Sequence, residues 1–114
     1  MRKISNLHKS IIDSSPYYKK CARRTDSNCA GRITIEHALV FGGRQIAELW
    51  NYVPLCEYHH AVLNYQDGGD LQKEKNVWIA LNQANDLELK KYSKAINYIR
   101  MRDILNVKYG KYNP

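Results

Sequence analysis

The sequence predicts a small α+β domain. Two short extended runs, at residues 32–37 and 51–55, lie in the middle of the chain, and segments with helical spacing flank them on both sides. The 114 residues contain no internal repeat, low-complexity tract or linker rich in Gly, Pro or Ser, so a single domain covering 1–114 is expected. A domain of this size buries only about two thirds of the surface that its unfolded chain exposes. Its core is modest, and an internal staple would help it.

At the N-terminal end, residues 3–15 place Ile4, Leu7, Ile11 and Ile12 at helical spacing, and Pro16 ends that helix or opens the next loop. Between 17 and 32 no period appears, and two cysteines, polar residues and Gly31 read as irregular loop. The run Arg-Ile-Thr-Ile-Glu-His at 32–37 alternates and is β-branched, which predicts a strand. Gly42-Gly43 marks a turn. Asn-Tyr-Val-Pro-Leu at 51–55 predicts a second strand, confined by Pro54 to an edge or an end. A helix can start within 57–64. Asp70 is placed to cap a helix through Val77, Trp78, Ala80 and Leu81, and Asp86 to cap a longer one reaching about Tyr109. In that last helix Leu89, Tyr92, Ile96 and Ile99 form an apolar stripe, while Lys90, Lys91, Lys94 and Arg102 lie mostly off it, as a core face and a solvated face would.

Charged residues at 25% and hydrophobic ones at 44% exclude a disordered tail. No export signal follows Met1-Arg2-Lys3 and no stretch is long enough to span a bilayer, so a soluble, cytoplasmic protein is expected. Lys and Arg number 18 against 11 Asp and Glu, a formal charge of +7 that favours polyanionic partners without naming one. The excess is spread evenly, and the densest cluster, Lys19, Lys20, Arg23 and Arg24, surrounds Cys21.

All three cysteines and three of the four histidines fall between residues 21 and 60. An odd number of thiols without an export signal favours a reduced, metal-bound use over disulfides. Cys21 and Cys29 form one pair and Cys56 with His59, at Cys-x2-His spacing, the other; together they make a Cys3His set of the kind that holds structural zinc. His59 and His60 are neighbours, and on a helix their side chains diverge by about 100°, so two such neighbours rarely serve one metal. With His59 on zinc, His60 joins Glu36-His37: a carboxylate and one imidazole can hold a divalent cation, and a neutral imidazole can take a proton from water.

The segment Ile35-Glu36-His37, then Gly42-Gly43, then Asn51-Tyr52-Val53-Pro54-Leu55-Cys56-Glu57-Tyr58-His59-His60 resembles the HNH endonuclease family, with fourteen positions from His37 to Asn51 and nine from Asn51 to His60. The likeness covers about residues 21–64; the helices at 70–109 carry none. It implies a ββα-metal (His-Me finger) core, with His37 as general base, Glu36 and His60 on a catalytic divalent cation such as Mg²⁺ or Mn²⁺, and Asn51 pinning the loop between the strands and helping to orient His37. It also implies structural Zn²⁺ on Cys21, Cys29, Cys56 and His59. Glu36 stands where Asp is usual, His59 where a second Cys is common, and the spacing from Cys21 to Cys29 is wider than the usual Cys-x2-Cys.

The resemblance implies a phosphodiester hydrolase acting on DNA, in the manner of a phage or mobile-element nuclease. Arg23, Arg24, Arg32 and Arg44 would contact phosphates. No base-reading helix is evident, so low sequence specificity or recognition of DNA shape is expected. Two other readings stand beside it: a zinc-stabilised DNA-binding or assembly module without cleavage, and a nuclease that needs a protein partner for targeting.

Overall fold

A computed structural model describes residues 4–26, 29–41, 44–62, 69–94 and 96–112. Helix α1 (Asn6–Ser14) starts where the Ser5 hydroxyl accepts the His8 N–H, and it stops at Ser15, which Pro16 holds in extended backbone. Pro16 then opens a 3-10 turn, Pro16–Lys19. Of the predicted stripe only Ile12 is buried; Leu7 is 70% exposed, so the apolar spacing of α1 does not mark a core face. A second 3-10 turn covers Arg24–Asp26, within the stretch expected to be irregular.

Strand β1 (Ile33–His37) pairs antiparallel with β4 (Tyr52–Cys56), from Ile33 opposite Cys56 to His37 opposite Tyr52. Pro54 fits because, among the described residues, β4 pairs with one strand only and its other side needs no ladder of N–H donors. Between them β2 (Val40–Phe41) and β3 (Arg44–Gln45) form a second antiparallel pair, which the sequence did not announce because two-residue strands carry no period. The predicted Gly42-Gly43 turn lies outside the described residues. After β4 the chain winds into one wide, π-type turn, Tyr58–Val62, in place of the ordinary helix start expected there.

Helix α2 (Gly69–Gln83) matches its predicted extent, although the proposed Asp70 cap lies among side chains that are not described. The long C-terminal helix is corrected to two, α3 (Asp86–Tyr92) and α4 (Tyr98–Tyr109). Asn85, not Asp86, caps α3, in a reciprocal box with Glu88. Asn97 caps α4, and the Ser93 hydroxyl donates to the Leu89 carbonyl while accepting the Tyr98 N–H. These polar side chains satisfy backbone groups that a continuous helix would otherwise pair. The apolar stripe is cut as a result: Leu89 is fully buried and Ile96 is 49% exposed.

Two apolar clusters share α2. Ile79 and Ala80 pack with Val53, Leu55, Cys21, Ala22 and Cys56, whereas Leu81 joins Leu39, Ile46, Trp50, Leu89, Tyr98 and Leu105. Each fully buried aliphatic side chain contributes about 1.5–3 kcal/mol, and the first cluster encloses two of the thiols. No helix among the described residues is long and apolar enough to cross a membrane.

Candidate metal centre

Three segments converge on the thiols. The loop before the Arg24–Asp26 turn carries Cys21, the loop before β1 carries Cys29, and the end of β4 with the following turn carries Cys56 and His59. The Ala22 N–H donates to the Pro54 carbonyl and the Tyr58 N–H to the Ala30 carbonyl, which ties one loop to β4 and the other to the turn after it. Gly31 is required where the second loop turns: its φ is +84°, and a Cβ there would stand 2.8 Å from the Glu57 side chain.

The His59 Nδ1 atom lies 3.4 Å from Cys21 Sγ, 3.6 Å from Cys29 Sγ and 3.2 Å from Cys56 Sγ, and all four ligand atoms fall within 4.8 Å of one another. Zinc bonds of about 2.3 Å to sulfur and about 2.0–2.1 Å to nitrogen, meeting at a tetrahedral angle, separate sulfur from nitrogen by about 3.6 Å. The cluster is therefore of a size to hold a metal such as zinc. Its electrostatics ask for a cation. Burial pushes the Cys21 thiol up, and desolvation beside the Cys21 and Cys56 thiols pushes Cys29 up to about 12. Burial acts on Cys56 in the same sense, but backbone N–H groups of His59 and Ala30 outweigh it and hold that thiol low. Three thiolates packed together repel one another unless a divalent ion sits among them.

On the far side of the same turn, His60 Nε2 stands 3.5 Å from Glu36 Oε2, and His60 Nδ1 is 2.5 Å from Thr34 Oγ1. Ligand bonds of about 2.1 Å meeting at a right angle would put oxygen and nitrogen about 3.0 Å apart, somewhat closer than this pair stands. The two adjacent histidines thus turn to different partners, as the sequence predicts. His37 follows Glu36 on β1. It is 6% exposed, and neither ring nitrogen has a hydrogen-bond partner among the described residues. Its ring meets Tyr52 edge-on at 4.9 Å, and the Tyr52 hydroxyl is 3.4 Å from His8 Nδ1 on α1. Burial pushes the His37 pKa down, and nearby His60 adds to the effect, so the imidazole is neutral near pH 7.

Asn51 is wholly buried. Its Oδ1 accepts from the Leu39 N–H at 2.8 Å, and its Nδ2 donates to the carbonyls of Leu39 and Ile46 at 3.0 Å each. The side chain pins the chain after β1 to the chain after β3. Of the cations proposed for phosphate, Arg23 is 4% exposed and bonded to Asp26 at 2.8 Å, so it is a packing group and not a surface contact. Arg24 is exposed, and Arg32 is exposed with a bond to Glu57; the Arg44 side chain is outside the described set. Thr34, Tyr52 and His8 adjoin the site without having been singled out in the sequence. For Thr34 a signal existed, since it precedes Glu36 by two residues on a strand and so shares its face.

Neither a scan against protein-family models nor searches of curated proteins and of solved structures finds a match to this chain.

Proposed function

We propose that this protein is a metal-dependent endonuclease of the HNH type, with a ββα-metal core, that hydrolyses phosphodiester bonds in DNA with low sequence specificity. The observation that carries the reading is the Glu36–His60 pair, 3.5 Å apart, with a buried His37, whose ring nitrogens have no hydrogen-bond partner among the described residues, next to Glu36 on the strand. A binding module needs the Cys3His cluster but has no use for an orphaned imidazole beside a carboxylate–imidazole pair. In this scheme Glu36 and His60 hold a divalent cation such as Mg²⁺ or Mn²⁺, which when bound stabilises charge on the scissile phosphate and leaving oxygen. His37, neutral because it is buried, accepts the proton of the attacking water. Asn51 fixes the chain just beyond His37. Exposed Lys19, Lys20, Arg24 and Arg32 supply cations for the phosphate backbone within a chain of net charge +7.

A plasmid-nicking assay with Mg²⁺ or Mn²⁺ tests the proposal. His37→Ala is expected to abolish nicking, and a variant that cleaves as fast as the unmodified protein would show the mechanism to be wrong. Cleavage of linear, single-stranded, nicked and branched DNA side by side tests the substrate class, and strong cutting at one defined sequence would count against low specificity. The 6% exposure of His37 favours one further version, a nuclease whose base is uncovered when a protein partner engages it. Purified protein that keeps its zinc but leaves every DNA form intact would support that version.

A further inference from the structure

We infer that Thr34 sets the tautomer of His60 and thereby turns the lone pair of Nε2 toward the Glu36 carboxylate; the inference rests on the reading of Glu36 and His60 as ligands of a divalent cation. Two contacts meet at the Thr34 hydroxyl: the Leu55 carbonyl oxygen at 2.9 Å and His60 Nδ1 at 2.5 Å. The hydroxyl owns a single hydrogen. A carbonyl oxygen can only accept, so Thr34 gives that hydrogen to Leu55, and the approach of Nδ1 is a bond only when Nδ1 carries a hydrogen and donates it to Oγ1. The opposite assignment sets two acceptors, Oγ1 and the Leu55 oxygen, against each other at 2.9 Å.

A neutral imidazole has one N–H. With that hydrogen on Nδ1, Nε2 is the acceptor nitrogen, and it is Nε2 that stands 3.5 Å from Glu36 Oε2. A lone pair facing a carboxylate is unfavourable until a cation enters between them, so the relay from His60 through Thr34 to Leu55 prepares the pair for a metal. The β1–β4 register builds the relay. Thr34 is opposite Leu55, and Thr34 and Glu36, two residues apart, share one face of the sheet below the turn that carries His60. Thr34 is thus a positioning residue, acting through His60.

Long-range ¹⁵N NMR of the zinc-loaded protein at about pH 8, above the ordinary histidine pKa, reads the tautomer before any Mg²⁺ or Mn²⁺ is added. The expected form of His60 is Nδ1–H. Thr34→Val keeps the branched shape and loses the hydroxyl; it is expected to shift His60 toward Nε2–H and to weaken Mn²⁺ binding about 10- to 100-fold, while Thr34→Ser restores both. Zinc content and circular dichroism verify the fold of each variant. An Nε2–H or doubly protonated His60 in the unmodified protein overturns the inference without any variant, as does a folded Thr34→Val that retains the Nδ1–H form and full Mn²⁺ affinity. An unmodified protein with Nδ1–H that binds no Mn²⁺ supports the Thr34 relay and overturns the catalytic-metal reading instead.

Discussion

Replacing His37 by leucine is expected to separate the proposed catalysis from stability. The ring is 6% exposed and both nitrogens lack partners among the described residues. Each hydrogen bond left unmade in a buried site costs about 1–3 kcal/mol. Leucine of similar volume removes those costs and forfeits the edge-on contact with Tyr52, about 0.5–1.5 kcal/mol. The balance makes His37→Leu at least as stable as the unmodified protein, by about 1 kcal/mol, or about 4 °C in melting temperature for a domain of this length. An ordinary substitution goes the other way by about 1 kcal/mol. Urea unfolding at saturating zinc, run beside the nicking assay, measures both halves: stability kept or raised, cleavage lost. A loss above about 2 kcal/mol would refute the reasoning, because it would identify His37 as a satisfied packing residue. The pH dependence follows in sign. Burial depresses the folded pKa of His37, so below about pH 6.5 the unfolded chain binds the proton first. Stability is therefore full above that value and is lost as pH falls through the folded pKa, and the leucine variant loses this part of the slope.

Elemental analysis is expected to find one zinc per chain, and chelation to unfold it, since structural zinc contributes an apparent free energy of about 10–16 kcal/mol against a typical domain stability of about 5–15; a metal-free chain with unchanged circular dichroism would contradict this. Asn51→Ala removes three bonds and leaves the Leu39 N–H without its acceptor, a cost of about 4–6 kcal/mol at about 1 kcal/mol per bond plus about 1–3 kcal/mol for the orphaned donor, read from the urea midpoint. Asp26→Asn strips a charge from the pair with Arg23, which is 4% exposed, and from Lys75 at 3.1 Å; with Asp26 itself partly exposed, about 2–3 kcal/mol is expected. Burial raises the Asp26 pKa, but the bonds from Lys75 and Arg23 outweigh it and leave the carboxyl below its usual range. Its contribution is accordingly present above about pH 3.9 and vanishes as pH falls through the folded value, a decline that the asparagine variant does not show in acid titrations.

Strand β1 was legible because Ile33, Thr34 and Ile35 are β-branched and alternate with the faces they occupy. The Cys3His set was legible because ligand chemistry restricts which residues can meet, even with seven residues between Cys21 and Cys29. The divergence of His59 and His60 followed from helical geometry and survived the change to a wider turn. The break between α3 and α4 was not legible: no Pro or Gly marks it, and Asn85, Ser93 and Asn97 act through hydrogen bonds that compete with the helix ladder only locally. The burial of Arg23, expected as a phosphate contact, was not legible, because the Asp26 carboxylate that it bonds also meets Lys75, 49 residues further along the chain. Leu7 and Ile11 have helical spacing, yet spacing alone does not say that another element will cover them.

If the proposed reading holds, the shared turn would make the two metal sites interdependent. His59 belongs to the thiol cluster and His60, the next residue, to the carboxylate pair, so one peptide unit joins an ion that only holds the chain together to one that takes part in the reaction proposed. Linkage is reciprocal: whatever factor zinc adds to the affinity of the second ion, the second ion returns to zinc. On the proposed reading, scarcity of zinc would lower the proposed hydrolysis even with magnesium abundant, and the output would follow the supply of a metal that has no part in the chemistry.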